Sequence, residues 1–271
     1  MRQVFCFVAG LLFFTSVNFV LADDIIIDDF SHYPKEQFPK NDEKNEIWGI
    51  WSRNFFSTDQ YKVREEEGGN KYLEAYADER MQSKKEIDEE EETELDVKVV
   101  RLIKKHKFEA KETPYLRWKW RVHIFPTGSQ EDIQYLNDTA ASVYVYFLKQ
   151  VGSPKIIQYI WSRSLEAGRA FKNPSDNGDF PTYFKIVRSG PGPQNEKGLE
   201  WVQEEVNVYQ DFMDLYVKDN PELYYKTGAD GEKVLDLPPI MGIGVLTDAN
   251  NTATEAKADY DDFVRSDRKL R

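Results

Sequence analysis

The sequence predicts an all-β chain built as an antiparallel β-sandwich, and three observations predict it. Apolar and polar residues alternate over short runs, with a period of two rather than 3.6. Phe, Tyr and Trp make up 14% of the chain, which suits half-buried pleated faces better than helices. Gly and Pro clusters such as Ser189-Gly190-Pro191-Gly192-Pro193 interrupt the runs at short spacing and leave room for only one short helix. Many strands with so little helix define a sandwich.

The strands follow in order. Ile25-Ile26-Ile27 forms the first. Lys71 to Tyr76 alternates, with Tyr72, Glu74 and Tyr76 on one side and Leu73 and Ala75 on the other. Leu116, Trp118, Trp120 and Val122 share a face of the next strand, opposite Arg117, Lys119 and Arg121. Val143 to Phe147 and Ile156 to Trp161 are near-continuous apolar runs, the mark of central strands covered on both faces. Thr182 to Arg188, Leu199 to Val206 and Ile240 to Leu246 add three more. Asn207 is a suitable N-cap for the single helix, whose Val208, Phe212 and Leu215 form one stripe. After Leu246-Thr247, the stretch Asp248 to Thr252 holds residues that bond their own backbone, and reads as a turn. Ala256, Ala258 and Tyr260 then alternate along a closing strand that carries Asp261 and Asp262 to the edge of the fold.

Residues 1–22 read as a secretory signal: Arg2, an apolar run from Val4 to Val20, and Ala22 before the Asp23-Asp24 pair. The remainder, 23–271, is expected to be a single sandwich domain in the periplasm or outside the cell, with no transmembrane segment. The leader also contains Cys6, the only cysteine, which leaves no disulfide, thiolate metal site or cysteine nucleophile in the rest. The net charge of −12 becomes one unit more negative without Arg2 and argues against nucleic acid and anionic lipid as partners. Two surface insertions are expected, near 80–107 and 222–236. The first joins the acidic run Glu86 to Glu94 to the basic stretch Lys98 to Lys107, and such blocks are usually solvated.

Catalytic chemistry has little to stand on. His32, His106 and His123 lie near no Gly-x-Ser-x-Gly turn and in no zinc spacing, and there is no Gly-rich phosphate loop. Glycoside hydrolysis needs only two carboxylates, and Glu204 with Glu205 after Trp201 could supply them. Equally, those two could pair with Arg117 or Arg121 on an exposed strand. Binding is favoured over catalysis, because Trp and Tyr rings stack on sugar rings while carboxylates bond the hydroxyls. Tyr144, Tyr146, Tyr159, Trp161, Trp201 and Glu204 are the candidate ligand residues, drawn from a larger set that includes Trp48 and Trp51. Trp118 and Trp120 are assigned to the core, and Tyr144, Tyr146 and Tyr159 stay open between core and ligand.

The order of motifs resembles the bacterial domain-of-unknown-function family 3047. The likeness lies in Ile27-Asp28-Asp29-Phe30-Ser31, Leu116-Arg117-Trp118-Lys119-Trp120-Arg121-Val122, Asn137 to Phe147, Tyr159-Ile160-Trp161-Ser162, Trp201 to Val208, Thr247-Asp248-Ala249-Asn250-Asn251-Thr252 and Tyr260-Asp261-Asp262. The resemblance implies an exported jelly-roll sandwich, similar in outline to carbohydrate-binding modules, whose first and last strands lie together and can hold a structural calcium. Asp28, Asp29 and Asp262 are the residues that would bind it, since calcium takes six to eight oxygens. The leading expectation is thus an exported non-catalytic protein that binds a glycan. The alternative is an envelope structural or assembly protein docking another protein, with a carboxylate-dependent glycoside hydrolase third.

Overall fold

The structure, a computed structural model, describes residues 24–41, 46–50, 60–78, 101–148, 154–178, 180–196 and 198–270. Residues 1–23, which include the expected signal, lie outside the described residues, as do Trp51 and the acidic run Glu86 to Glu94. In chain order the elements are β1 (Ile25–Asp28), β2 (Lys40–Asn41), β3 (Glu46–Ile50), β4 (Tyr61–Glu65), β5 (Lys71–Asp78), β6 (Leu102–Phe108), β7 (Tyr115–Ile124), β8 (Ala141–Phe147), β9 (Lys155–Ser162), β10 (Ala170–Lys172) and β11 (Thr182–Ser189). Then come β12 (Gln194–Asn195), β13 (Gly198–Leu199), β14 (Val202–Asn207), α1 (Val208–Phe212), β15 (Tyr225–Thr227), β16 (Lys233–Leu235), β17 (Ile240–Leu246) and β18 (Glu255–Ser266). Asn207 caps α1, its side chain accepting from the Gln210 N–H at 2.9 Å.

Two sheets hold nearly all of these strands. One has the order β14-β7-β18-β5-β4, with β1 on the second half of β18, and the other runs β10-β11-β9-β8-β17-β6-β3-β2. The chain passes repeatedly from one sheet to the other, from β1 to β3, β5 to β6, β7 to β8 and β17 to β18, which is the jelly-roll way of wrapping a sandwich. Among the described strands, β9 and β11 are the exception to antiparallel pairing. β10 folds back outside β11, so β11 reaches β9 through a long connection, as a parallel pair requires.

Alternation decides what lies between the sheets. Leu116, Trp118, Trp120 and Val122 of β7 face Ile157, Tyr159 and Trp161 of β9. Trp118 lies 5.9 Å from Tyr159, and Trp120 5.4 Å from Trp161. Tyr260 of β18 spans the gap: its hydroxyl accepts from the Ser142 N–H at 3.2 Å and donates to the Leu246 carbonyl at 2.9 Å, both on the other sheet. The turn after β17 is also tied across. Asp138, fully buried, accepts from the N–H groups of Asn251 and Thr252 at 3.1 and 2.8 Å and from the Thr252 hydroxyl at 2.6 Å. The oxygen-rich 248–252 stretch is thus one half of a lock whose other half is the Asn137-Asp138-Thr139 stretch.

Two sequence expectations change. Leu102 to Phe108, read from its charge as part of a solvated block, is β6, hydrogen-bonded between β3 and β17. Leu102 is fully buried, and Lys104 is buried because it meets the carboxylate of Asp28 at 2.9 Å. The run Leu199 to Val206 is split at Glu200 and Trp201, with β13 turning back onto β12 before β14 begins. The 222–236 insertion forms the hairpin β15–β16.

Asp28 also accepts from the Phe30 N–H at 2.9 Å, the Tyr33 hydroxyl at 2.8 Å and the Trp48 indole N–H at 2.9 Å. Removing one partner of a buried ion pair strands the other charge at a cost of about 3–5 kcal/mol. Asp28→Ala and Lys104→Ala should each lower unfolding free energy in urea by about that amount. The double variant should lose clearly less than the sum of the two, since the pair is coupled.

Candidate ligand site

The predicted ligand residues separate onto three surfaces. Tyr159 and Trp161 are fully buried between the sheets, where they pack on Trp118 and Trp120, so they line the core and no outer face. Tyr144 and Tyr146 point the other way from the same sheet, where their rings stack at 5.9 Å with 13° between planes. Both are buried, with Ile156, Leu246 and Ile103, in a second small apolar cluster, and Arg101 lies 5.9 Å over the Tyr144 ring. Tyr146 lies across Gly244, where an added Cβ would come within 2.6 Å of the Leu102 carbonyl oxygen on the neighbouring strand, so glycine is required there.

Glu204 and Glu205 are consecutive strand residues and so face opposite ways. Glu204 sits on the inward face of β14, in register with Trp118, and accepts from Arg188 of the other sheet at 3.0 Å. Burial raises Glu204 above the usual carboxylate range, against the pull of Arg188. Glu205 faces outward and accepts from Arg117 at 2.7 Å. The two cannot flank one sugar ring.

Trp201 alone of the predicted set borders an open polar surface, the outer face of the β14–β4 sheet. Arg121 is its keystone. The Nε of Arg121 donates to Asp259 at 2.6 Å and an Nη to Glu66 at 3.2 Å, while the guanidinium lies 4.3 Å over Trp201 and 4.9 Å over Tyr72. Trp201 and Tyr72 meet edge to face at 5.5 Å, and the Trp201 indole N–H donates to Glu66 at 3.1 Å. His123 completes the network through its Nε2, 2.7 Å from the Asp259 carboxylate. Each position follows from strand alternation, which puts Tyr72, Arg121 and Asp259 on the outward side of β5, β7 and β18.

A local irregularity supplies the rest. Gly68 and Gly69, both at positive φ, close the β4–β5 turn and bring Asn70 to the sheet, where its amide donates to Asp261 at 2.9 Å and to Glu66 at 3.2 Å. The ladder between β18 and β7 slips between Asp261 and Val264, and Asp262 adopts a positive φ of 50°. This bulge re-aims Asp262 onto Lys119 at 2.6 Å. Sequence reasoning missed Tyr72, Asn70, Arg121 and Asp259 as a unit. The alternation of the Arg117–Arg121 face opposite a strand with Asp259 was the available signal, but pairing of distant strands is not written in either.

Burial, with the adjacent Asp262 charge adding to it, pushes Asp261 up to about 7 despite the Asn70 hydrogen bond. Its folded value lies above the ordinary 3.8, so the native state binds the proton more tightly than the unfolded chain. The stabilisation is complete below the ordinary value and is lost as pH rises toward 7. Asp261→Asn, which mimics the protonated form, should therefore melt above the wild type at pH 8 and close to it at pH 4; equal melting at both pH values would exclude the assignment.

The calcium set is also rearranged. Among the described residues, the group whose ligand atoms lie within 4.8 Å of one another is Asp28, Asp29 and His32, without Asp262. Asp28 already meets the Lys104 ammonium and three other donors, and Asp29 accepts from the Ser31 N–H and hydroxyl at 3.0 and 2.7 Å. A cation beside Lys104 would have to displace these donors, so the residues do not fit calcium. Added calcium or chelator should leave the melting temperature unchanged.

Fold and site together define a β-sandwich of jelly-roll type with a polar, aromatic outer face. The chain belongs to the family described as protein of unknown function DUF3047, whose model matches residues 50–264. A comparison with curated proteins finds no match. Two solved structures are similar. One is a meso-active, thermostable cellulase derived from a Rhodothermus marinus enzyme, at 14% identity and a TM-score of 0.37 over 82% of this chain and 98% of that one. The other is the xyloglucanase domain of NopAA, a type three effector from Sinorhizobium fredii, solved in complex with cellobiose, at 9% identity and a TM-score of 0.39 over 81% and 97%. No helix among the described residues is long and apolar enough to cross a membrane.

Proposed function

We propose that this is an exported binding protein, working in the periplasm or outside the cell, that engages a carbohydrate on the outer face of the β14–β4 sheet. The observation that carries the reading is the half-buried pair Trp201 and Tyr72, held at a fixed angle by the Arg121 guanidinium beside a rim of Glu66 and Asn70. Apolar ring surface for a sugar face and oriented amide and carboxylate groups for its hydroxyls are what such recognition needs. Arg121 occupies part of each ring, so the sugar takes the surface that remains open. The network holds these side chains in place before binding, which limits the entropy lost when a ligand arrives.

Binding is favoured over glycoside hydrolysis at this site for a steric reason. Asp259 and Asp261, neighbouring carboxylates on one face of β18, are 1% and 2% exposed, beneath the β4–β5 turn and the aromatic pair. A glycosidic oxygen and a water molecule must both touch such groups. The apolar stretch at residues 1–22 and the acidic charge support export and a neutral ligand.

A glycan array probed with wild-type protein should return binding to at least one saccharide. Trp201→Ala should then weaken that affinity about tenfold or more, the equivalent of about 1.4 kcal/mol, with the fold preserved by circular dichroism. Unchanged affinity in Trp201→Ala, or no saccharide bound at all, would overturn the reading.

A further inference from the structure

The loop between β7 and β8 is braced at its neck, along its side and at its far end. Its neck is closed by the Gln130 N–H on the Leu136 carbonyl at 2.7 Å, with inner turns from Ile133 to Gln130 and from Leu136 to Ile133 at 3.0 and 3.1 Å. Buried Glu131 anchors it by accepting from the Ser162 hydroxyl at 2.8 Å, and Asp132 pairs with Arg169 at 2.7 Å. Asn137, at the far side, accepts from the Asn251 amide at 2.6 Å. At the tip, this frame holds Tyr135 at 72% exposure, the highest among the exposed large hydrophobics of the described residues.

Tyr135 also has a φ of 70°, in the left-handed region, where a Cβ crowds the backbone and glycine or asparagine would sit more easily. A side chain that is both strained and exposed gains nothing for folding. Such positions persist where the surrounding structure holds them in place, and they cluster at binding sites. Ile133 and Leu136 are exposed beside it. On the flank beyond Asn137 the Asn137 amide donates to Asn173 and Ser175, each at 3.3 Å, next to Asp176, which accepts from the Gly178 and Thr182 N–H groups at 2.8 and 3.0 Å.

We propose that the tip of this loop is a saccharide-stacking site, in which the Tyr135 ring packs against the apolar face of a sugar. The partner is argued from size and charge. Three side chains cover far less than the ~800 Å² each partner contributes to a stable protein complex. Amides and hydroxyls at the flank match sugar hydroxyls, and the carboxylates nearby are already answered, Asp132 by Arg169 and Asp176 by two backbone N–H groups. The site is separate from the one bordered by Trp201 and does not depend on it.

The test is affinity gel electrophoresis through soluble neutral polysaccharides: a β-1,4-glucan ether, a xylan, a galactomannan and a dextran. Wild-type protein should be retarded by at least one, Tyr135→Ala should lose at least half of that retardation, and Tyr135→Phe should keep it. Tyr135→Gly should melt above the wild type, because the strain is relieved, yet bind no better than Tyr135→Ala. Binding by Tyr135→Gly equal to wild type, or no retardation by any of the four, would overturn the proposal. Loss in Tyr135→Ala with none in Trp201→Ala would keep this site and reject the earlier one; the reverse pattern would do the opposite.

Discussion

The buried carboxylate of Asp28 is the constraint on which the two sheets' alignment depends. Moving a carboxylate out of water costs several kcal/mol unless its charge and lone pairs are answered. Here the answers come from both sheets. The Phe30 N–H and the Tyr33 hydroxyl follow β1, which is paired to β18, whereas Trp48 and Lys104 belong to β3 and β6 of the facing sheet. Satisfying Asp28 therefore requires β1 to lie on β18 and the β3–β6 edge to close over it. Around this point Phe30, Trp48 and Phe263 pack at 5.6–6.3 Å and keep water out, which strengthens the same electrostatic contacts.

Elsewhere along the sandwich a different kind of tie does the same work. Tyr260 reaches across the core to the backbone of β8 and β17, and Asp138 locks the 248–252 turn to the entry of β8. The Tyr260 tie joins neutral groups, whereas the buried Asp138 carboxylate is answered by two backbone N–H groups and the Thr252 hydroxyl. With the two sheets pinned in more than one place, the aromatic layer of Trp118, Trp120, Tyr159 and Trp161 has a single way to interlock, and that layer fills the centre.

Rigidity of the interior passes to the outer face. Arg121 and Asp259 stand on adjacent strands whose register is set by the core, so the guanidinium arrives under Trp201 and Tyr72 in one orientation. The face is thus preorganised by packing on its reverse side. This distinguishes it from the Glu204–Arg188 pair, which bridges the two sheets along the β14 side and seals the aromatic layer beneath it. The family assignment leaves activity open, and the two solved likenesses, at TM-scores below 0.4, add nothing to the chemistry; the functional reading stands on the face itself.

How much of this was legible in the chain follows from range. Local period established the strands of 71–76, 116–122, 143–147 and 156–161, the Asn207 cap and the 248–252 turn, since each depends on neighbours within a few residues. Period also separated Trp118 and Trp120 from the charged face of their strand. It could not separate Tyr144 from Tyr159, because a strand buried on both faces shows apolar residues at every position and hides which side is the core. Nor could it show that Lys104 would be drawn inside, that Asp262 would turn to Lys119, or that Trp201, Tyr72 and Asp259 would share one surface. Those outcomes depend on partners far away in sequence, as Lys104 is 71 residues from Tyr33 and Asn70 is 191 from Asp261, or on a bulge in one ladder, and only the tertiary fold, by fixing which strands pair and in what register, decides them.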